Sequence, residues 1–281
     1  MAPAERRRSF RPRAWRRART AAFGVIGAAL GLLLAAGAEA ADLSVEQVRA
    51  ALARATPERP ADFTGRDLRE LDLSGLDFKG ARLAHANLFG AKLVGANLTG
   101  ADLRFARLDL AWIMRADFSH ADLSHASLFG PVVATGMAPP SVGDAPRFVG
   151  ADFSGARVIA RLAGVDFRGA RFVGAALGVD IRNQPMGQMR NDFTGADLSG
   201  VDFAGADLNR AEFAFAKLRG ANLAGASLFG ADLARADLSG ADLAGADLTD
   251  ADLDGTILTG AQHLDAAKGL DKAVNAARAV R

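Results

Sequence analysis

The sequence predicts an all-β solenoid, a chain wound into a coil whose successive turns pair strand on strand. Three observations predict it: a five-residue period in large apolar residues, a small residue two positions before each, and a narrow alphabet. From Phe63 the large residues recur at Leu68, Leu73, Phe78, Leu83 and Leu88, and so on through Leu128 to Val133. The register returns at Phe193 and runs unbroken to Leu258. A period of five fits neither a helix nor a flat strand. A chain that buries one large and one small residue in every five must bend after each unit, and coiling lets its turns pair at about 4.8 Å. Half of the 281 residues are hydrophobic, 31 are Gly, and Cys and Tyr are absent; such bias points to repeats. Gly, Ser, Asp and Asn between the apolar positions suit tight corners.

The units ANLFG, AKLVG, ANLTG and ADLRF between Ala86 and Phe105 resemble the A-(D/N)-L-x-x consensus of the pentapeptide-repeat family. The resemblance implies a right-handed quadrilateral β-helix with four units per turn, the large residue and the small one before it facing inward. On that geometry Leu88, Leu98, Phe118, Phe193, Phe203 and Leu238 are core positions, and about 35 units give nearly nine turns. With no cysteine available, stability must come from packing.

Residues 1–40 read as a signal peptide. Residues 1–20 are Arg-rich, 21–38 are uncharged and apolar, and Ala38 and Ala40 are small residues at the −3 and −1 positions of a cleavage site before Ala41. Arg7-Arg8-Ser9-Phe10 resembles a twin-arginine core. The alternative is that 21–38 stays as a membrane anchor; with cleavage no stable membrane insertion is expected. Either reading sends the rest to the periplasm or outside the cell. The leader also explains the pI near 9.4: without its eight arginines and two acids, 26 basic and 30 acidic residues remain, a formal −4. No nucleic-acid partner is expected from charge.

The remaining segments follow in order. Residues 41–60 should form an N-terminal capping helix, because Ser44-Val45-Glu46-Gln47 reads as a capping box and Val45, Val48 and Leu52 follow at helical spacing. Repeats fill 61–134, and 135–147 is a loop insertion with three prolines. Imperfect repeats fill 148–177, with a one-residue slip between Val158 and Phe167, before a second insertion at 178–191. Repeats resume over 192–260. Leu264, Ala267, Leu270 and Val274 lie on one helical stripe, which predicts a C-terminal capping helix over 261–281. Both caps are expected because the ends of a stack expose unpaired backbone; a rod end is also a candidate homodimer contact.

For function, the sequence favours a non-catalytic scaffold that binds a protein. Trp112 occupies an outward position usually held by Asp or Asn, with Leu110 and Met114 beside it and Val132 one turn on. This is the candidate partner surface; the first insertion is expected to fold back over Trp112. Loops are where repeat proteins often bind. His85 and His125 share a corner two turns apart, about 9.6 Å, too far to hold one metal, and His120 lies on a neighbouring corner. Asp232, Asp237, Asp242, Asp247 and Asp252 are spread around a turn and do not converge. No P-loop or nucleophile elbow occurs. No cofactor, metal or catalytic residue is therefore expected. The resemblance implies a rival, since some family members mimic duplex DNA and inhibit or protect DNA gyrase; Lys92, Arg104, Arg107, Lys217 and Arg235 interrupt the acidity that role needs.

Overall fold

The computed structural model describes residues 41–134, 143–179 and 190–281, all within one compact unit, Ala40–Arg281. The leader, with Ala38 and Ala40, and most of both insertions lie outside the described residues.

Within that unit the chain pairs with itself at a fixed interval. Asp62 pairs with Arg82, Asp67 with Asn87, Asp72 with Lys92 and Asp77 with Asn97, all parallel. Partners are one turn apart, so four five-residue units make a turn with four walls. The first wall runs from Asp62 to Gln262, the second from Asp67 to Lys268, the third from Asp72 to Val274 and the fourth from Asp77 to Val280. Each wall carries ten positions, so the stack is about 43 Å along its axis at the usual strand spacing. Because a corner follows every few residues, most pairing is by single bridges. Among the described residues, only β1 (Ser127–Phe129) and β2 (Arg157–Ile159) are long enough to form a parallel strand pair.

The local chemistry of each unit explains its consensus. In the unit Ala86–Gly90, Ala86 and Leu88 are fully buried, and Gly90 turns the corner at φ +64°. The Asn or Asp between the two inward residues has a double task. Its Oδ1 accepts the backbone N–H two residues on, as Asp62 does from Thr64 at 3.0 Å and Asp122 from Ser124 at 3.0 Å. This side chain closes the corner that the backbone alone would leave unpaired. Asn also donates to the turn before it, as from Asn97 Nδ2 to Asp77 Oδ1 at 2.8 Å.

The inward residues form one continuous cluster. Leu88, Leu98, Phe118, Phe193, Phe203 and Leu238 are each 0% exposed. Each such side chain contributes about 1.5–3 kcal/mol by leaving water, before ordering entropy is subtracted. Phenylalanines concentrate where the repeat is least regular: Phe118, Phe148 and Phe167 stack at 5.0 and 5.1 Å, and Phe153 and Phe172 at 4.6 Å.

The interruptions are resolved by pairing. Asp117 pairs with Arg147 and Ser127 with Arg157, so the first insertion leaves the stack between the third and fourth walls of the fourth turn. The slip is a four-residue unit, with Val158 and Leu162 as successive core residues. Arg161 then pairs with Asp192, placing the second insertion between the second and third walls of the sixth turn. The slip misaligns one strand of backbone, and Asn191 repairs it. Its side chain is 1% exposed; Nδ2 donates to Val158 O at 2.7 Å and Leu177 O at 2.6 Å, while Oδ1 accepts from Ala160 N at 2.9 Å.

The ends differ. At the start, α1 (Val45–Ala53) begins with the capping box: Gln47 N donates to Ser44 Oγ and Ser44 N to Gln47 Oε1. Val48 is fully buried in the core cluster, and Leu43, Ala51, Leu52 and Ala55 pack against it. At the other end the expected helix does not form. Gln262, Lys268, Val274 and Val280 instead pair with Asp242, Asp247, Asp252 and Ile257, so six-residue units wind a tenth turn with 3-10 segments at Leu264–Ala266 and Ala276–Arg278. The period is three: Leu264, Ala267, Leu270, Ala273, Ala276 and Ala279 all pack on the core. Val274, assigned to the helical stripe, points outward at 48% exposure. This extra turn is why the stack has ten turns and not nearly nine.

Candidate interaction surface

The third turn, residues 101–120, departs most from the rest of the surface. All four of its corners are left-handed residues other than Gly: Phe105, Leu110, Arg115 and His120, with φ between 58° and 59°. A side chain in that conformation costs about 1 kcal/mol relative to Gly, so this turn carries strain that Gly elsewhere avoids. Among the described residues of the first half, the same turn supplies the most exposed large apolar side chains: Phe105 at 51%, Leu110 at 43% and Trp112 at 42%.

Each of the four residues read from sequence has a definite place. Trp112 sits on the third wall between Lys92 and Val132, pairing with both, and Val132 is half-buried. Leu110 is on the corner leading into that wall. Met114 is a correction: it is buried, at 7% exposure, and offers little surface to a partner. The chain returning from the first insertion closes its corner, with Arg115 N donating to Asp144 O at 2.9 Å. The expected burial of Trp112 is not found, and the part of the insertion meant to cover it, 135–142, lies outside the described residues.

Sequence reasoning did not foresee what lies between the two histidines. Phe105 fills the gap, stacked on His85 at 4.8 Å and on His125 at 4.9 Å, with planes within 10°. The His125 ring then lies on Gly155, where a Cβ would meet it at 2.6 Å. Phe105 was readable as an apolar residue in a Gly position, four units after His85 and four before His125. On the second wall Arg107 lies 4.5 Å over the Phe89 ring and donates to Asp109 Oδ2 at 2.8 Å. Asp109 also accepts from Ser127 Oγ at 2.5 Å and Phe129 N at 3.0 Å. Burial pushes its pKa up, but those donors outweigh burial and hold it below the usual carboxylate range.

Lower on the third wall Asp192, Glu212, Asp232 and Asp252 follow one another. Burial and the charges of Asp192 and Asp232 raise the Glu212 pKa above its ordinary value, while Arg190 opposes them. Among the described residues no group of His, Asp and Glu could hold a metal ion, and no helix is long and apolar enough to cross a membrane. A cleft of about 410 Å³ lies between the end of α1 and the first turn, lined by Leu52, Thr56, Pro57, Pro60, Asp77 and Lys79 among others.

Comparison with known proteins agrees with this architecture. The family model for pentapeptide repeats matches in eight copies, over 61–130 and 192–260. HetL, a pentapeptide repeat protein involved in heterocyst differentiation regulation from the cyanobacterium Nostoc sp. strain PCC 7120, is 30% identical; the match covers 83% of this chain and 98% of HetL, with a TM-score of 0.41. A pentapeptide repeat protein of the Arabidopsis thaliana thylakoid lumen is 28% identical over 45% of this chain and 68% of its own, at TM-score 0.24. Trypsin-treated QnrB1, a plasmid-mediated fluoroquinolone resistance protein, is 20% identical over 69% of this chain and 87% of its own, at TM-score 0.35. No curated protein matches. Proteins of this kind are right-handed quadrilateral β-helices, generally non-catalytic, whose fold serves as an interaction scaffold. By its repeats and its likeness to HetL, this chain belongs to the pentapeptide-repeat family.

Proposed function

We propose that this chain is an exported, non-catalytic scaffold that holds a protein partner against the outer surface of its third turn. The observation that carries the reading is the exposure of Phe105, Leu110 and Trp112 together, the first two at corners where Gly would cost less. Aromatic and Arg-rich surface is typical of the centres of protein interfaces. The filled core supports the non-catalytic part, since catalysis usually needs a water-excluding cavity. The Arg-rich and apolar stretches of residues 1–38 support export, and both the periplasm and the cell exterior fit.

A photo-crosslinking amino acid at position 112, compared with one at Lys217 on the fourth wall, tests the binding role. A protein crosslinked reproducibly from 112 and not from 217 is expected; equal labelling from both refutes it. Fusion of residues 1–45 to a reporter active only outside the cytoplasm tests export. Silence of that reporter would return weight to duplex mimicry, which the acidic row of the third wall favours and the net −4 of the chain after residue 40 supports only weakly.

A further inference from the structure

The cleft of about 410 Å³ between α1 and the first turn is within the size range of small-molecule sites. One side of it is apolar: Leu52 and Ala55, which pack on the core from the end of α1, and Pro57 and Pro60 in the loop that follows. That loop is held by its own bonds. Thr56 and Arg59 exchange backbone hydrogen bonds at 3.0 Å, and Arg59 N also lies 3.2 Å from Thr56 Oγ1. With φ fixed at both prolines, this side needs little ordering to receive a ligand. The opposite side carries one acid and one base, Asp77 and Lys79, both exposed. Asp77 Oδ1 accepts from Lys79 N at 3.1 Å and from Asn97 Nδ2 at 2.8 Å. Asp77 Oδ2 and the Lys79 ammonium have no partner among the described residues. Elsewhere this spacing closes an ion pair: Arg69, Arg104 and Arg168 each fold back on the acid two residues before, Asp67, Asp102 and Asp166. At 77 and 79 the two charges stay apart.

We infer that this cleft binds a free α-amino acid with an apolar side chain. Asp77 takes its ammonium, Lys79 takes its carboxylate, and its side chain lies against Leu52, Ala55, Pro57 and Pro60. Both charges are needed to explain the choice: a simple amine or carboxylate answers only one of them. Span then separates an amino acid from a peptide. Outward side chains two residues apart on an extended chain stand about 6–7 Å apart. One ammonium–carboxylate pair bridges that gap with a hydrogen bond at each end. The termini of a dipeptide stand farther apart by about 3.3 Å, one residue of extended chain, and overshoot it. Exposed charges set orientation more than affinity, so binding is weak, with a Kd of about 1 mM. A ligand that touches both α1 and the first turn fastens the cap to the stack and stabilises it by mass action. The cleft shares no residue with the third-turn surface, so this site and the scaffold reading stand or fall separately.

The test titrates the purified, isotope-labelled chain with L-leucine and follows its backbone amides by NMR. Four comparison ligands remove one feature each: N-acetyl-leucine the ammonium, leucinamide the carboxylate, glycine the side chain, and leucyl-leucine the span. Leucine should give saturable shifts centred on residues 52–60 and 77–80. Each comparison ligand should bind about fivefold more weakly or worse. Asp77→Asn keeps the acceptor for Lys79 N and removes the charge; it and Lys79→Gln should each weaken leucine about fivefold with the unfolding midpoint of the free chain unchanged. Lys217→Gln, farther down the same wall, should leave leucine binding as it was. Shifts that fail to saturate by about 10 mM would overturn the inference. So would equal affinity for leucinamide or N-acetyl-leucine, tighter binding of leucyl-leucine, or leucine binding untouched by both charge variants. If position 112 crosslinks no protein while leucine binds as stated, the cleft site stands and the scaffold reading does not.

Discussion

Asn191→Ala should be the most informative single substitution away from the surface. It deletes a side chain that pairs three backbone groups across two turns: the carbonyls of Val158 and Leu177 and the N–H of Ala160. Val158 and Ala160 border the four-residue unit and Leu177 lies where the second insertion leaves the stack, so no neighbouring turn supplies a replacement. An orphaned buried group costs about 1–3 kcal/mol, and partial relaxation brings the expected sum to about 3–6 kcal/mol. That is a large share of the roughly 5–15 kcal/mol by which domains are stable. Urea unfolding followed by circular dichroism would measure the loss, and hydrogen exchange would locate it at 157–162 and 175–179, because stacked repeats open locally. Asn191→Asp should be worse at neutral pH, since it aims a carboxylate at two carbonyls, and should recover toward the alanine variant in acid. A loss below about 1 kcal/mol with unchanged exchange would refute the claim that this side chain bridges the slip.

Three further outcomes follow from the packing and the charges. Leu98→Asp should abolish the soluble fold, while Leu98→Ala should cost about 2–5 kcal/mol by denaturant unfolding. Gly155→Ala should destabilise, both because of its φ of +64° and because the new Cβ meets the His125 ring at 2.6 Å; in a His125→Gly background only the smaller, conformational part should remain, as a double-mutant cycle would show. The folded state raises the Glu212 pKa, so it loses stability as pH rises through that raised value. Glu212→Gln should accordingly raise the unfolding midpoint at neutral pH, and the gain should vanish below the ordinary glutamate range; no gain at neutral pH would contradict the burial and like-charge cause.

The candidate surface was partly legible before the structure. Trp112 stood out because it replaces a polar residue, and its alignment with Val132 follows from four units per turn. Phe105 carried the same kind of signal at a Gly position, yet only the side-by-side geometry of three turns reveals that it bridges His85 and His125. Met114 was misplaced because its corner is closed by chain returning from an insertion, an event no local pattern encodes. The C-terminal segment was misread for a related reason. Residues at 264, 267 and 270 fit a helical stripe and a three-residue coil equally well, and pairing of Lys268 with Asp247 decides between them.

By itself the sequence determined the repeating unit: which side chains go inward, which close the corners, where the register slips and where chain is inserted. Those are local properties, fixed within five residues by burial and by hydrogen bonds from a side chain to its own backbone. The tertiary structure alone decided which residues become neighbours across turns. That includes the phenylalanine between two imidazoles, the bridging asparagine and the added tenth turn. Such contacts join residues some twenty to thirty positions apart, and they depend on the summed length of every unit and insertion between them.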